Sequence, residues 1–429
     1  MIEEKIREQI IALMKREVVP AVGCTEPMAV ALCVARATEA LGTKPDKITA
    51  LLSANILKNA MGVGIPGTGM IGLPIAIALG ALIGKSEYQL EVIKDVCPEA
   101  IEQGKLFIDK GRIDIRLKQD CCDKLYVEVL CEGGGHRSSA IIQGSHTHFV
   151  RVTRDNEVLL DEHAGSNEGD DSSDIALNLR LVYDFAMQAP LDEIRFILET
   201  RDYNLKAAQE SLKGNYGHCL GKTMDRPLSH GIFGNTIFSR ILSKTALATE
   251  ARMGGALIPV MSNSGSGNQG ICATNPVAVY AMENENTEEE LIRALMLSHL
   301  TAIYIKQSLG TLSALCGCVV ASIGSSVGIT YLMGGSYDRI CAAVKNMVAN
   351  LTGMICDGAK PSCSLKITSG VSTAVLSALL AMEGKCVSSS EGIVDDCVDK
   401  SIHNLTAIGA NGMGPTDEMV LSIMTSKGC

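Results

Sequence analysis

The sequence predicts an α+β chain: a mainly helical lobe supplied by both ends, with an inserted α/β lobe of mostly antiparallel strands. Three observations carry this expectation. Both ends read as helices, the middle alternates apolar and polar residues with period two, and aromatic residues make up only 3% of the 429 residues, with no Trp. A core so short of rings must be filled by Ala, Leu, Ile, Val and Met, as in closely packed helices. The expected division is 1–85 for the N-terminal part of the helical lobe, 86–190 for the insert, and 191–429 for the rest of the helical lobe with its clustered cysteines.

Taken in order, residues 2–17 have the charge and apolar spacing of an amphipathic helix. A second helix is expected over 25–42, entered after the break at Val19-Pro20 and stopped by Gly42. Ile48–Leu57 is apolar and expected to be buried. Residues 60–84 carry no charge, but Pro66, Pro74 and the glycines point to a loop leading into a short buried helix. IDIRLKQ, KLYVEVLCEG and SSAIIQGSHTHFVRVTR then alternate as half-buried strands do. Residues 156–172 read as a polar, acidic surface loop. From about 174 onward the pattern is helical to the end, including the charge-free stretch 308–337.

Composition narrows the function. Net charge is −10 with no basic run, which argues against a nucleic-acid partner. The two charge-free stretches are long enough to test as membrane spans, yet glycine, proline and small polar residues interrupt them, so no membrane partner is expected. The N-terminus lacks the apolar run of a secretory signal, which places the chain in the reducing cytoplasm. There, the 16 cysteines are expected to bind metal, do chemistry or pack rather than form disulfides.

Among them, Cys356 and Cys363 bracket the irregular stretch CDGAKPSC, and Cys316 lies 40 residues upstream of Cys356. Gly358 permits a turn and Pro361 stops a helix, so the loop can bend two thiols toward one centre. Spacing alone leaves two readings open, a metal site and small buried residues. A zinc knuckle is disfavoured, because its cysteines sit closer together.

CDGAKPSCSLK with a cysteine 40 residues upstream resembles the cluster-binding segment of the iron–sulfur L-serine dehydratases and their L-cysteine desulfidase relatives. VGCTEPMA at 22–29, SANILKNAMGVGIPGTG at 53–69, GSHTHFV at 144–150 and SNSGSGNQG at 262–270 resemble the desulfidase branch. The resemblance spans nearly the whole chain. It implies a [4Fe–4S] cluster held by Cys316, Cys356 and Cys363 with one open iron. Cys318 competes with Cys316 for the first position, and Cys272 is a weaker contender. The implied reaction is β-elimination of L-cysteine to pyruvate, ammonia and hydrogen sulfide, with L-serine as the alternative substrate. A small-molecule amino acid is thus the expected partner, and a homo-oligomer the expected assembly.

Cys24 is the expected base for the α-proton. Its place before a helix N-terminus would lower a thiol pKa, and the matching cysteine of the desulfidase branch is associated with catalysis. Glu26 reads as a carboxylate stabilising the same helix end. For the substrate's charged groups, Ser264, Ser266 and Asn268 lie in a Gly/Ser-rich loop whose amides could form an anion-binding nest. Asn55, Lys58 and Asn59 form a polar cluster in an apolar stretch, where a lysine needs a partner. His146 and His148 are expected on one face of a strand. Lys366 either offsets cluster charge or is solvated. Two other classes compete: a pyridoxal-phosphate lyase using Lys58, and a non-enzymatic iron–sulfur sensor. Cys429, at the chain's end, is either an exposed tail residue or a cap for the open iron.

Overall fold

A computed structural model describes every residue of the chain except 1, 120, 122, 124, 163–174, 311–312 and 427–429. The fold is α+β. Cys429 and residues 163–172 of the expected acidic loop lie outside the described residues.

Six strands form one mixed sheet. Its spatial order is Ile113–Leu117, Lys47–Leu52, Tyr126–Gly133, His136–Gln143, Phe149–Arg154 and Glu157–Asp161. The first two run parallel, and every other pair is antiparallel. Register decides which face is apolar. Ile48 pairs with Cys131, Ala50 with Val129 and Leu52 with Val127, and all six side chains are fully buried. Helices Thr25–Leu41 and Leu73–Leu82 belong to the same apolar cluster. Glu157–Asp161 replaces the start of the expected loop. Its side chains are mostly exposed, as an edge strand allows, so it carries little of the alternation that marks the inner strands.

A second, larger apolar cluster gathers the helices from residue 177 onward, and the first helix, Glu4–Glu17, packs into it through Ile10, Leu13 and Met14. The two clusters therefore divide the chain differently from an insert beginning at residue 86. Residues 28–82 pack with the sheet, and Lys47–Leu52 is one of its central strands.

At the heart of the helical cluster lies Gly317–Leu332, flanked by Gly267–Glu283, Glu288–Leu309, Tyr337–Leu351 and Cys363–Met382. Small residues let these helices approach closely. A Cβ on Gly324 would stand 2.3 Å from the Ser298 carbonyl. Several buried hydroxyls bond within their own helix: Ser322 donates to Cys318 O at 2.6 Å and Thr330 to Ser326 O at 2.7 Å. This is the ring-poor packing that the composition requires. Of the two charge-free stretches, the first holds a buried 10-residue helix and the second the buried 16-residue helix Gly317–Leu332. Among the described residues, Cys363–Met382 alone is long and apolar enough to cross a membrane, and half of its apolar window is buried.

Two short strands join the lobes. Pro20–Val22 pairs antiparallel with Pro259–Met261. This ribbon ties the entry of the Thr25–Leu41 helix to the segment that leads into SNSGSGNQG.

Candidate active site

Between the lobes lies a cavity of about 190 Å³. Its walls gather Cys316, Cys356 and Cys363 with Cys24, Asn55, Lys58, Asn59, His146, Ser264, Ser266 and Asn268. Segments separated by more than 300 residues thus meet in one place.

Backbone pairing builds the cysteine wall. The Cys316 amide donates to Met354 O at 2.9 Å, and the Cys356 amide to Ala314 O at 2.6 Å. The two cysteines are thereby set side by side. Cys316 caps the Gly317–Leu332 helix, and Cys363 opens the Cys363–Met382 helix. The loop between Cys356 and Cys363 is stapled from inside. Lys360 and Lys366 both pair with Asp357, and Lys366 also donates to Ile355 O at 2.9 Å. Burial alone would raise the Asp357 pKa, but these two lysines outweigh it and hold the carboxyl at about 2. Lys366 is therefore an ion-paired staple rather than a solvated cation.

Burial pushes the Cys356 and Cys363 thiols up, and each is raised further by the negative charge of Cys316. The Sγ atoms of Cys316 and Cys318 lie 3.3 Å apart. This shared contact lowers the Cys316 thiol and, with burial, pushes Cys318 well up. Cys272 is fully buried, with its Sγ 3.9 Å from Cys318 O. Among the described residues, no three His, Cys, Asp or Glu side chains converge as a single metal ion would demand. Three thiols spread over one wall are instead a donor set that suits an iron–sulfur cluster.

Cys24 occupies the cap position of Thr25–Leu41, but its thiol is not depressed. Burial raises it well above the ordinary value, and the Glu26 carboxylate adds to the effect. The Sγ–H donates to Glu26 Oε2 at 2.8 Å. The expected thiolate is therefore a thiol held by a carboxylate, because desolvation and a neighbouring charge outweigh the helix end. Val63 and Met253 pack around Cys24, and Ala359 and Cys363 pack against that group.

Lys58, almost fully buried on the short helix Ala54–Ala60, has the partner its position requires. It pairs with Asp417 of the last helix, Gly414–Ser426. Gly358 has φ +88°, and its backbone runs against the Lys58 carbonyl.

The Ser/Asn loop is rigid. Ser264 sits at φ +48°, and the Asn263 and Ser266 backbones exchange both amide bonds. The Ser264 amide donates to Glu17 O at 3.0 Å. These three amides are spent, so the expected nest does not form from them. In the first turn of Gly267–Glu283 the Gln269 amide donates to the Ser266 hydroxyl at 3.3 Å, which leaves the Gly267 and Asn268 amides without an intrahelical partner. Beneath the loop, Asn263 Nδ2 donates to His299 Nδ1 at 3.1 Å, leaving Nε2–H to donate to Thr274 Oγ1 at 3.0 Å. Burial holds His299 neutral, with its pKa down at about 3.

The two histidines part company. His146 lies in a turn and reaches the cavity, where burial lowers its pKa. His148 precedes the strand, bonds Glu162 and Gln143 O, and is absent from the cavity wall. The expected shared strand face fails because Ser145–Thr147 turn instead of extending.

Among the wall residues not legible as site residues in sequence are Glu26 in this setting and Arg252. Arg252 ends a helix otherwise rich in Ala, Thr and Ser, where a buried arginine is the one available signal.

A family model of the serine dehydratase alpha chain matches residues 87–422. Similar proteins include a UPF0597 protein of Bacteroides fragilis, 68% identical over 99% of this chain and 100% of its own. One from Bacteroides thetaiotaomicron is 66% identical over the full length of both chains. Another, from Porphyromonas gingivalis, is 52% identical over 98% of this chain and 99% of its own.

Proposed function

The chain belongs to the serine dehydratase alpha chain family, and on that premise we propose an iron–sulfur-dependent lyase that removes the β-substituent of a small L-amino acid. The observation that carries the reading is the meeting of Cys24–Glu26 with Cys316, Cys356 and Cys363 in one small cavity. These last three cysteines would hold a [4Fe–4S] cluster. A cluster bound there would supply Lewis acidity toward the leaving group.

The chain's own groups supply the rest. Cys24 takes the α-proton at Sγ while its own proton passes to Glu26 Oε2, 2.8 Å away. No net charge then accumulates on sulfur, which suits a thiol whose ionisation is opposed by burial. The electron pair of the Cα–H bond becomes the Cα=Cβ bond as the Cβ–S or Cβ–O bond breaks. The sulfide or hydroxide departs and takes up a proton from solvent, and the aminoacrylate product leaves and hydrolyses to pyruvate and ammonia. Asn55 and Asn59 line the wall with neutral donors, and the Lys58–Asp417 pair fixes the last helix to it.

L-Cysteine is the first substrate of the proposal, on the strength of the desulfidase-like motifs around Cys24. L-Serine is the second reading, favoured by the name of the matched family. A pyridoxal-phosphate lyase is disfavoured because Lys58, its candidate Schiff-base residue, is buried and engaged by Asp417. A sensor would have no use for Cys24–Glu26. The test is an anaerobic assay of protein reconstituted with iron and sulfide, using L-cysteine and L-serine in parallel. Pyruvate from either substrate supports the lyase, and the faster one names it. Brown, iron-loaded protein that forms pyruvate from neither would overturn the proposal.

A further inference from the structure

Arg252 is the next-to-last residue of the Ile237–Met253 helix and is only 5% exposed. A buried guanidinium stays charged, since its pKa lies far above neutrality, and an unpaired buried charge is costly. Buried arginines therefore pair with carboxylates. This one does not, among the described residues. Its Nη1 donates to the neutral Asn268 Oδ1 at 2.9 Å and lies 4.0 Å from Met253 Sδ, while Nε has no partner.

Among the described residues, neither Glu250 nor Glu26 forms an ion pair with it, and each accepts hydrogen bonds from other donors. Both Glu250 oxygens accept backbone amides, from Leu220 at 2.7 Å and Gly221 at 3.1 Å. Glu26 Oε2 accepts from Cys24 and Thr25. Of the three other cations of the cavity wall, Lys58 and Lys366 already have Asp417 and Asp357, and Lys306 donates to Gly310 O at 2.8 Å. Among the described residues, Arg252 thus brings to the cavity wall a guanidinium that forms no ion pair with a carboxylate.

The surroundings suit an anion. Gly267 leaves the room that the guanidinium occupies, because a Cβ there would stand 2.3 Å from Nε. Gly267 and Asn268 open a 17-residue helix, whose first-turn amides and dipole favour negative charge. Ser264 and Ser266 flank it on the same wall.

We propose that Arg252 is the anchor for the α-carboxylate of the substrate, and so restricts the site to amino acids with a free carboxyl group. The inference rests on the lyase reading for the identity of the ligand. Arg252 also lies near enough to Cys24 for its charge to act on the thiol. The α-carbon is one bond from the carboxylate carbon, so anchoring there presents the α-proton to Cys24.

The test uses the cluster-loaded protein and two non-reacting probes, L-alanine and L-alaninamide, which differ only in the carboxylate. Binding is read by calorimetry. Wild type should prefer L-alanine, and Arg252→Gln should weaken L-alanine by about 10–100-fold and erase the preference. Arg252→Lys should restore part of it. Because it removes an unpaired charge, Arg252→Gln should melt no lower than wild type. Asn268→Asp gives an independent arm: a carboxylate built beside the guanidinium should block L-alanine in a folded protein. Retained L-alanine preference in folded Arg252→Gln or Asn268→Asp protein overturns the proposal, as does wild type that binds both probes alike. If L-alanine binds through Arg252 but neither serine nor cysteine turns over, the anchor stands and the lyase reading falls.

Discussion

A Cβ on Gly358 would stand 2.1 Å from the carbonyl oxygen of Lys58. The loop that carries Cys356 and Cys363 is thereby pressed against the helix that carries Asn55, Lys58 and Asn59. Gly358 also has φ +88°, where a side chain is strained. Gly358→Ala should cost about 2–3 kcal/mol and loosen the cysteine wall. Gly353→Ala, where nothing stands within 4 Å, is the control. Thermal melts and iron retention after desalting read both effects. A Gly358→Ala protein equal to the control in both would show that this contact does not hold the loop.

Cys24 and Glu26 act as a unit in the proposed reaction. Cys24→Ala and Glu26→Gln should each leave the iron content intact and lower kcat by on the order of 10²–10⁴-fold. The double variant should be little worse than either single one, since both remove the same proton path. Multiplying losses would mean that the two residues work separately.

Much of this site was legible because each motif carries its own turn chemistry. CDGAKPSC shows its turn through Gly358 and Pro361, and the break at Val19-Pro20 marks the entry to the helix that VGCTEP opens. Arg252 and Glu26 were not legible in these settings, since what marks them is the partner each has or lacks. That is a property of the folded wall and not of ATEARMGG or CTEP. Lys47–Leu52 was hidden for a related reason. A short apolar run does not reveal whether it is helix or strand, and its sheet partners lie more than 60 residues away. His148 shows the opposite error, in which alternation was read through a turn.

The Lys58–Asp417 pair joins the first hundred residues to the last helix. Asp417→Asn strands a lysine that is only 3% exposed, and should cost roughly 3 kcal/mol. Lys58→Met combined with Asp417→Leu should recover most of that loss. Chemical denaturation of wild type, Lys58→Met, Asp417→Leu and the double variant gives the coupling. A near-zero coupling energy would show that the pair does not secure the last helix.

His299 sets a pH dependence. Its folded pKa, at about 3, lies below the ordinary 6.5 because burial disfavours the charged form. The unfolded chain therefore binds the proton first. Stability from keeping His299 neutral is fully present above about pH 6.5 and is lost as pH falls toward 3, by up to about 1.4 kcal/mol per unit. His299→Gln should flatten this part of the profile. Denaturation curves at pH 7, 6 and 5 suffice, and an equal slope in the variant would assign the dependence to other groups.

The most direct test of the central claim is pyruvate formation measured against bound iron. Wild type, Cys316→Ala, Cys356→Ala, Cys363→Ala and the control Cys33→Ala would be reconstituted anaerobically side by side. Wild type and Cys33→Ala should load iron and sulfide and turn over cysteine or serine. The other three should lose iron and turnover together, because each removes one of three anchors. Full turnover in Cys356→Ala protein stripped of iron would contradict the account.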